Sequence, residues 1–309
     1  MTDPIRPSGA QYPIADGPYS ATVTEAGATI RTCDWQDLPA LAGFAADAVC
    51  DGAHGQLLAP WPNRIDGGRY AFGGERHQLD ISEPDRDNAI HGLVRWDRWM
   101  CDAHAPASVT LVHRLLPRPG YPHVIDLRVT YDIDAASGLA VTLTATNAGS
   151  GAAPWGAGHH PYLTPGLPSV RDCTLRLPAA TYLEADDRMI PRREVAVDGT
   201  AYDLRGGRVI GTTPLDPAFG DLARDVDGCA RASVTAPDGA STTLWCDEAY
   251  PWLQVYTGHG LAPRRRFAAV AVEPMSCPPN AFVTGTDLVT LEPGATWTGR
   301  WGVTYTPAP

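Results

Sequence analysis

Among its 309 residues the chain has no C-x-x-C pair and few basic side chains. Its seven cysteines (33, 50, 101, 173, 229, 246, 277) are odd in number and scattered, which fits neither a disulfide frame nor a zinc site. They read as reduced thiols of a cytoplasmic protein, most of them buried as small apolar groups. Only 24 basic residues face 35 acidic ones, for a net charge of -11. That balance argues against nucleic acid or an anionic membrane surface as partner, since both need a basic face. No apolar run approaches the roughly 20 residues of a membrane span. The opening "MTDPIRPSGAQYPIADGPYS" lacks a basic start followed by an apolar core, so no signal peptide is expected. There is no G-x-S-x-G, no H-E-x-x-H, no P-loop and no complete G-x-G-x-x-G. No H-x-H or carboxylate–histidine cluster suggests a metal site, and no cofactor is expected.

Glycine and proline, by contrast, are plentiful at 31 and 29 residues, and they punctuate the chain too often for long helices. Between them, segments alternate with period two. In "VIDLRVTYDI", Ile125, Leu127, Val129, Tyr131 and Ile133 share one face. Leu139, Val141, Leu143 and Ala145 do the same in "LAVTLTAT", as do Trp297, Trp301, Val303 and Tyr305 near the end. One apolar face at this period means half-buried antiparallel strands. Pro237-Asp238-Gly239 and the short polar loop after Ile133 read as hairpin turns. The alanine-rich patch 38–49 is poorly amphipathic and is expected to be a loop or at most a short helix. No repeat or linker stands out. The expectation is an all-β chain, a large antiparallel β-sandwich forming one domain, with residues 1–17 a loose N-terminal arm.

Four stretches break the strand pattern with dense polar residues. In "LAPWPNRIDGGRYAFGG", two prolines hold an extended entry to Asn63-Arg64, and the glycines then turn into a strand over 69–72. A guanidinium held there can fork onto two hydroxyl oxygens, or simply form a surface ion pair. In "DNAIHGLVRWDRW", His91 precedes a glycine; Trp96 and Trp99, three apart on the strand expected there, face opposite sides. Asp97 and Arg98 read as a solvated pair. The third stretch, "GHHPYL", sets two histidines side by side, and in an extended chain they point to opposite faces. In the fourth, "FAAVAVEPMSCPPNAF", Glu273 ends a run of six apolar residues that reads as a buried strand. Burial raises a carboxylate's pKa and makes it a usable base, unless it is tied to the Arg264–Arg266 run instead.

Taken together and in this order, "PNRIDGGRY", "NAIHG", "HPYL", "WLQVYTG" and "VEPMSCPPNAF" resemble the aldose 1-epimerase (galactose mutarotase) family, from about Val23 to Tyr305. The version with Trp61, "APWPNRI", resembles a bacterial subgroup of it. The resemblance implies a large antiparallel β-sandwich of galactose-mutarotase type with an open sugar cleft. By motif it assigns Glu273 as catalytic base, His160 as catalytic acid and His91 as the second histidine near the ring oxygen. It assigns Asn63, Arg64, Gln254 and Asp216 to substrate binding, with Asp221 as a weaker rival to Asp216. Leu163-Thr164 stand where the family often has Phe-Asn, and His259 where a typical member has Asn. These differences concern the sugar preferred.

The implied reaction interconverts α and β anomers of a hexose without a metal or redox cofactor. Glu273 takes the O1 proton, protonated His160 donates to O5, and the ring opens and recloses on the other face. Trp61 or Tyr162 is expected to stack on the sugar, and His159 to face away from it. The alternatives are a mutarotase for an anionic sugar, needing Arg95, Arg98 or one of Arg264–Arg266 at the C6 end, and a carbohydrate-binding protein without turnover. A sugar is the expected partner, and the chain itself a monomer or weak homodimer.

Overall fold

The computed structural model describes residues 5–309. Where apolar residues alternate, strands form, and they assemble into two large antiparallel sheets of 12 and 9 strands plus three two-stranded ribbons. The alternating faces named above line the space between the sheets. Along Ile125–Asp134 every odd residue from Ile125 to Ile133 is buried, and Leu139, Val141, Leu143 and Ala145 of Gly138–Asn147 lie beside them. These two strands pair directly, and Gly138–Asn147 pairs on its other side with Thr296–Thr306. Strands Ala230–Thr235 and Ser241–Cys246 form the hairpin expected around Pro237-Asp238-Gly239. The single α-helix among the described residues is the one-turn Ala281–Thr284. Among the described residues no helix is long and apolar enough to cross a membrane.

Two expectations about the first fifty residues are corrected. Gln11–Asp16 is the edge strand of the 12-stranded sheet, paired along its whole length with Tyr19–Thr24, so the loose arm does not extend to residue 17. Its burial pattern is irregular, and for that reason it carried no period-two signal. Residues 1–4 of that arm lie outside the described residues. Patch 38–49 opens with a four-residue strand, Leu38–Leu41, and continues as loop, with no helix. The loop cysteine, Cys50, is half-buried; Cys33, Cys173, Cys246 and Cys277 are buried, Cys101 is exposed, and all seven thiols are free.

The centre of the 12-stranded sheet positions the polar stretches. Val270–Met275 runs between Trp252–Tyr256 on one side and the short strands Gly158–His159 and Tyr162–Leu163 on the other. Proline lacks the N–H that a ladder uses, so central strands normally exclude it. Here Pro161 separates the short strands Gly158–His159 and Tyr162–Leu163, and Pro274 lies within Val270–Met275, which stays paired through Met275. The break in the ladder sits beside His160 and Glu273.

Candidate active site

Register brings the key side chains abreast. Gly158 pairs with Met275 and Tyr162 with Ala271, so the same register sets His160 opposite Glu273. On the other side Glu273 pairs directly with Gln254. His160 Nε2 lies 3.1 Å from Glu273 Oε1, and Glu273 Oε2 has no hydrogen-bond partner. Glu273 is in mid-strand, not at a strand end as expected from Pro274, because Met275 continues the pairing. Its alternative partners are occupied elsewhere: Arg265 binds Asp51 and Arg266 donates to the Leu261 carbonyl.

Alternation separates the two histidines. His159 points into the inter-sheet core, its ring 5.1 Å from Trp301 and 6.5 Å from Tyr131. Tyr162, two residues beyond His160, shares that histidine's face. Its ring lies over His160 at 5.0 Å and its hydroxyl donates to the Gly52 carbonyl at 2.8 Å.

The first two polar stretches meet through a small ribbon. Arg64–Asp66 pairs with Asn88–Ile90, and the His91 N–H donates to the Asn63 carbonyl at 2.8 Å. Both His91 and Gly92 have positive φ, and a Cβ on Gly92 would come within 2.0 Å of the Ala59 carbonyl. Glycine is therefore required there, and the turn presents the His91 ring edge-on to His160 at 5.4 Å. Arg64 is buried and forks onto Glu83, with Nε and Nη2 donating at 2.8 and 2.9 Å. An ion pair was one reading of Arg64, but it is an interior one at the cleft wall.

A cavity of about 390 Å³ is lined by Asn63, Arg64, His91, His160, Tyr162, Asp216 and Glu273. Gln254 stands behind this wall: its Nε2 donates to Asp216 Oδ1 at 2.7 Å and to the Asp216 carbonyl at 2.8 Å. It buttresses Asp216 because its strand position places it beneath the loop that carries the aspartate. The rival Asp221 is exposed and does not line the cavity. Trp61 packs on Phe282, 5.7 Å between rings, and is buried away from the cavity. The aromatic at the mouth is instead Trp96, which is 53% exposed, while Trp99 is core. Residues 94–97 turn back on themselves through an Asp97 N–H to Val94 carbonyl bond, so no strand forms there. Asp97 binds His113 and Arg118, and Arg98 binds Glu25, so they are not a pair. Arg86, Arg95, Tyr256 and His259 also line the cavity. Neither Arg86 nor the Glu83 that orients Arg64 carries a local sequence signal, because both act through pairings set by the ribbon.

The electrostatics follow from burial. Burial, and then the neighbouring Asp216, pushes the Glu273 carboxyl well above its usual range, against the pull of Arg64. Burial also holds the His160 imidazole far below its ordinary value, helped by His54, Arg95 and Arg64. His91 is lowered for the same first reason and by His160. Asp216 is raised to about 6 by burial, with Arg64 and the Gln254 bond opposing. In this pair both shifts favour uncharged partners sharing one proton. No group of histidine, cysteine and acidic side chains among the described residues is arranged to hold a metal.

A sandwich of two large antiparallel sheets, with a buried carboxylate–imidazole pair at the floor of an open cleft, is an arrangement suited to proton transfer. The aldose 1-epimerase family model matches residues 11–304, and the chain belongs to that family. It is 35% identical over 287 residues to the uncharacterised YihR of Escherichia coli K12, covering 93% of this chain and 90% of that one. It is 32% identical over 222 residues to the galactose mutarotase of Homo sapiens, covering 67% of this chain and 63% of the relative. Among solved structures, a GalM/aldose epimerase homologue from C. elegans superposes with a TM-score of 0.86 at 19% identity, covering 97% and 99% of the two chains. A galactose 1-epimerase from Lactobacillus acidophilus gives 0.80 at 20% identity, covering 95% and 93%. At these identities the structural matches speak to the fold.

Proposed function

We propose that the protein is a mutarotase that interconverts the α and β anomers of a hexose through Glu273 and His160. The observation that carries this reading is the 3.1 Å pair at the cavity floor, with the second Glu273 oxygen unpartnered. O1 and O5 hang on the same carbon, so the two groups that serve them must be neighbours. A sugar lying over the pair separates its partners and receives the proton they share at O5 from His160. Glu273 takes the O1 proton, the C1–O5 bond breaks and the C1–O1 bond becomes a carbonyl. Rotation about C1–C2 followed by the reverse transfers closes the other anomer. Each positioned proton-transfer group typically contributes ~10²–10⁴ in rate. The chain contains no lysine, so the open aldehyde meets no amine side chain that would trap it. His91 sits where it can donate near O5, and Arg64 and Asp216 offer donor and acceptor to ring hydroxyls. The seven free thiols suit a cytoplasmic setting.

One observation favours a second reading, a hexose with an anionic C6 group such as a phosphate or sulfonate. Of the arginines considered for that role, Arg98 is exposed on Glu25 and Arg265 is bound to Asp51, whereas Arg95 lines the cavity. Arg95 forms no ion pair among the described residues and rests 5.5 Å from the Trp96 ring. An unpaired guanidinium in a cleft is a donor fork for an anion. NMR measurement of anomer exchange at equilibrium, with glucose, galactose, glucose 6-phosphate and a 6-sulfonated glucose, separates the readings. If the anionic reading holds, Arg95→Met lowers kcat/KM ~10-fold or more for an anionic sugar and leaves neutral sugars unchanged. Equal exchange by wild type and R95M on every sugar excludes it.

A further inference from the structure

The plane of the His160 ring has no hydrogen bond to fix it. Its Nδ1 has no partner, and its bond to Glu273 is made at Nε2. Nε2 lies nearer the axis of rotation about Cβ–Cγ than Nδ1 does, so a single bond there restrains the ring's rotation only loosely. That torsion is broad for histidine. A contact on the ring's face adds the restraint that sets its plane and with it the direction of Nε2, on which proton transfer depends.

Such a contact is built from a separate segment, the loop at residues 50–56. The Tyr162 ring lies over His160 at 5.0 Å and 21°, and the His54 ring lies on Tyr162 at 3.8 Å and 10°. His54 is itself locked at both nitrogens. Its Nδ1 donates to the Asp51 carbonyl at 2.7 Å, and its Nε2 accepts from Arg265 Nη1 at 3.3 Å. That pattern defines one neutral tautomer. Arg265 is held in turn by Asp51, with Nε at 3.0 Å from Oδ2 and Nη2 at 2.8 Å from Oδ1. The same loop grips the His160 backbone, through Gly55 N–H to the His160 carbonyl at 2.9 Å and His160 N–H to the Gln56 carbonyl at 3.0 Å. It also accepts the Tyr162 hydroxyl at Gly52. Three successive contacts thus run from Arg265 through His54 and Tyr162 to the ring that faces Glu273.

We propose that His54 is a positioning residue, clamped by Arg265 and Asp51, whose flat face acts through Tyr162 to hold the His160 imidazole in the plane that serves Glu273 and the substrate. This rests on the reading of His160 as the catalytic acid. Misplacement of a reacting group by about 1 Å costs ~10² in rate. Replacing His54 with alanine or leucine therefore lowers kcat by ~10–100-fold with KM held within about 2-fold, because no sugar contact is lost. His54→Phe, which keeps a flat ring and loses both hydrogen bonds, recovers kcat to within about 5-fold of wild type.

The test compares these kinetics with ¹⁵N-histidine spectra of the full chain, in which the His160 ring signals are assigned by their loss in His160→Gln. The expected result is one sharp set of His160 ring signals in wild type and His54→Phe, and broadened or split signals in His54→Leu. Leucine fills the volume of the ring without its flat face, so the comparison stands even where alanine unfolds the loop. Identical His160 signals in wild type and folded His54→Leu would overturn the proposal, as would kcat unchanged in that variant. The spectra need no sugar, so they judge the stack even if the protein proves inactive on every sugar tried.

Discussion

Glu273 presents one oxygen to His160 and leaves the other free, while Arg64 a short distance away gives up two of its nitrogens to Glu83. That second pairing decides how Arg64 meets a ligand. With Nε and Nη2 committed, Nη1 is the donor left for a sugar hydroxyl, its other neighbour being Asn63 Oδ1 at 3.4 Å. Glu83→Gln removes the charge that holds the fork, so Arg64 swings freely. KM for the sugar then rises about 5–20-fold with kcat little changed, the size expected when one charge-assisted hydrogen bond is lost; steady-state kinetics on the variant check it. At this scale the sequence was informative about identity and silent about partners. Glu273 stood out as a carboxylate in an apolar run, and His160 as the histidine before Pro-Tyr. Glu83, 19 residues from Arg64, carries no mark of its role because the ribbon that joins them is a tertiary feature.

Strand alternation makes the two adjacent histidines unequal. His159 is sealed against Trp301 and Tyr131, and His160 opens on the cavity. His159→Leu keeps an apolar volume in that core and is expected to leave kcat within about 3-fold of wild type, whereas His160→Gln loses ~10²–10⁴. Side-by-side kcat measurements decide, and the reverse order would mean that the register carried between Gly158 and Tyr162 is wrong. The long strands were legible from their period, since one wet and one dry face write themselves into the sequence. The short ones were not. Gln11–Asp16, Leu38–Leu41 and Gly158–His159 are too brief or too evenly buried to show a period, and only their neighbours in the sheet make them strands. Trp96 and Trp99 were rightly placed on opposite sides, but a turn separates them, because Val94–Asp97 closes on itself.

Over the whole molecule, buried imidazoles stay neutral, with consequences for stability. His159 is lowered to about 3 by burial, and His54 to about 4 by burial with Arg265 adding to it. In the unfolded chain both titrate near 6.5. Above that value neither form binds the proton and their burial costs nothing in charge; as pH falls through 6.5 towards 4 the unfolded chain takes up protons that the folded one refuses. Stability is therefore lost across that window. The raised Glu273 and Asp216 work in the opposite sense, since the folded chain holds their protons to higher pH. His159→Leu removes one refused proton, and the fall in Tm between about pH 7 and pH 4.5 is expected to be smaller than in wild type. A thermal unfolding series at several pH values checks this, and an unchanged slope would count against a neutral buried His159. The sandwich class was readable from composition and alternation, whereas the partition of strands between sheets depends on contacts far apart in sequence. The most direct test of the central claim is polarimetry of freshly dissolved α-glucose and α-galactose, together with an anionic hexose, in wild type and Glu273→Gln. Wild type should speed mutarotation of at least one of these sugars well above buffer, and Glu273→Gln should lose ~10²–10⁴ of that rate. A wild-type rate equal to buffer on all of them, or a Glu273→Gln variant as fast as wild type, would contradict the assignment of this pair to anomer interconversion.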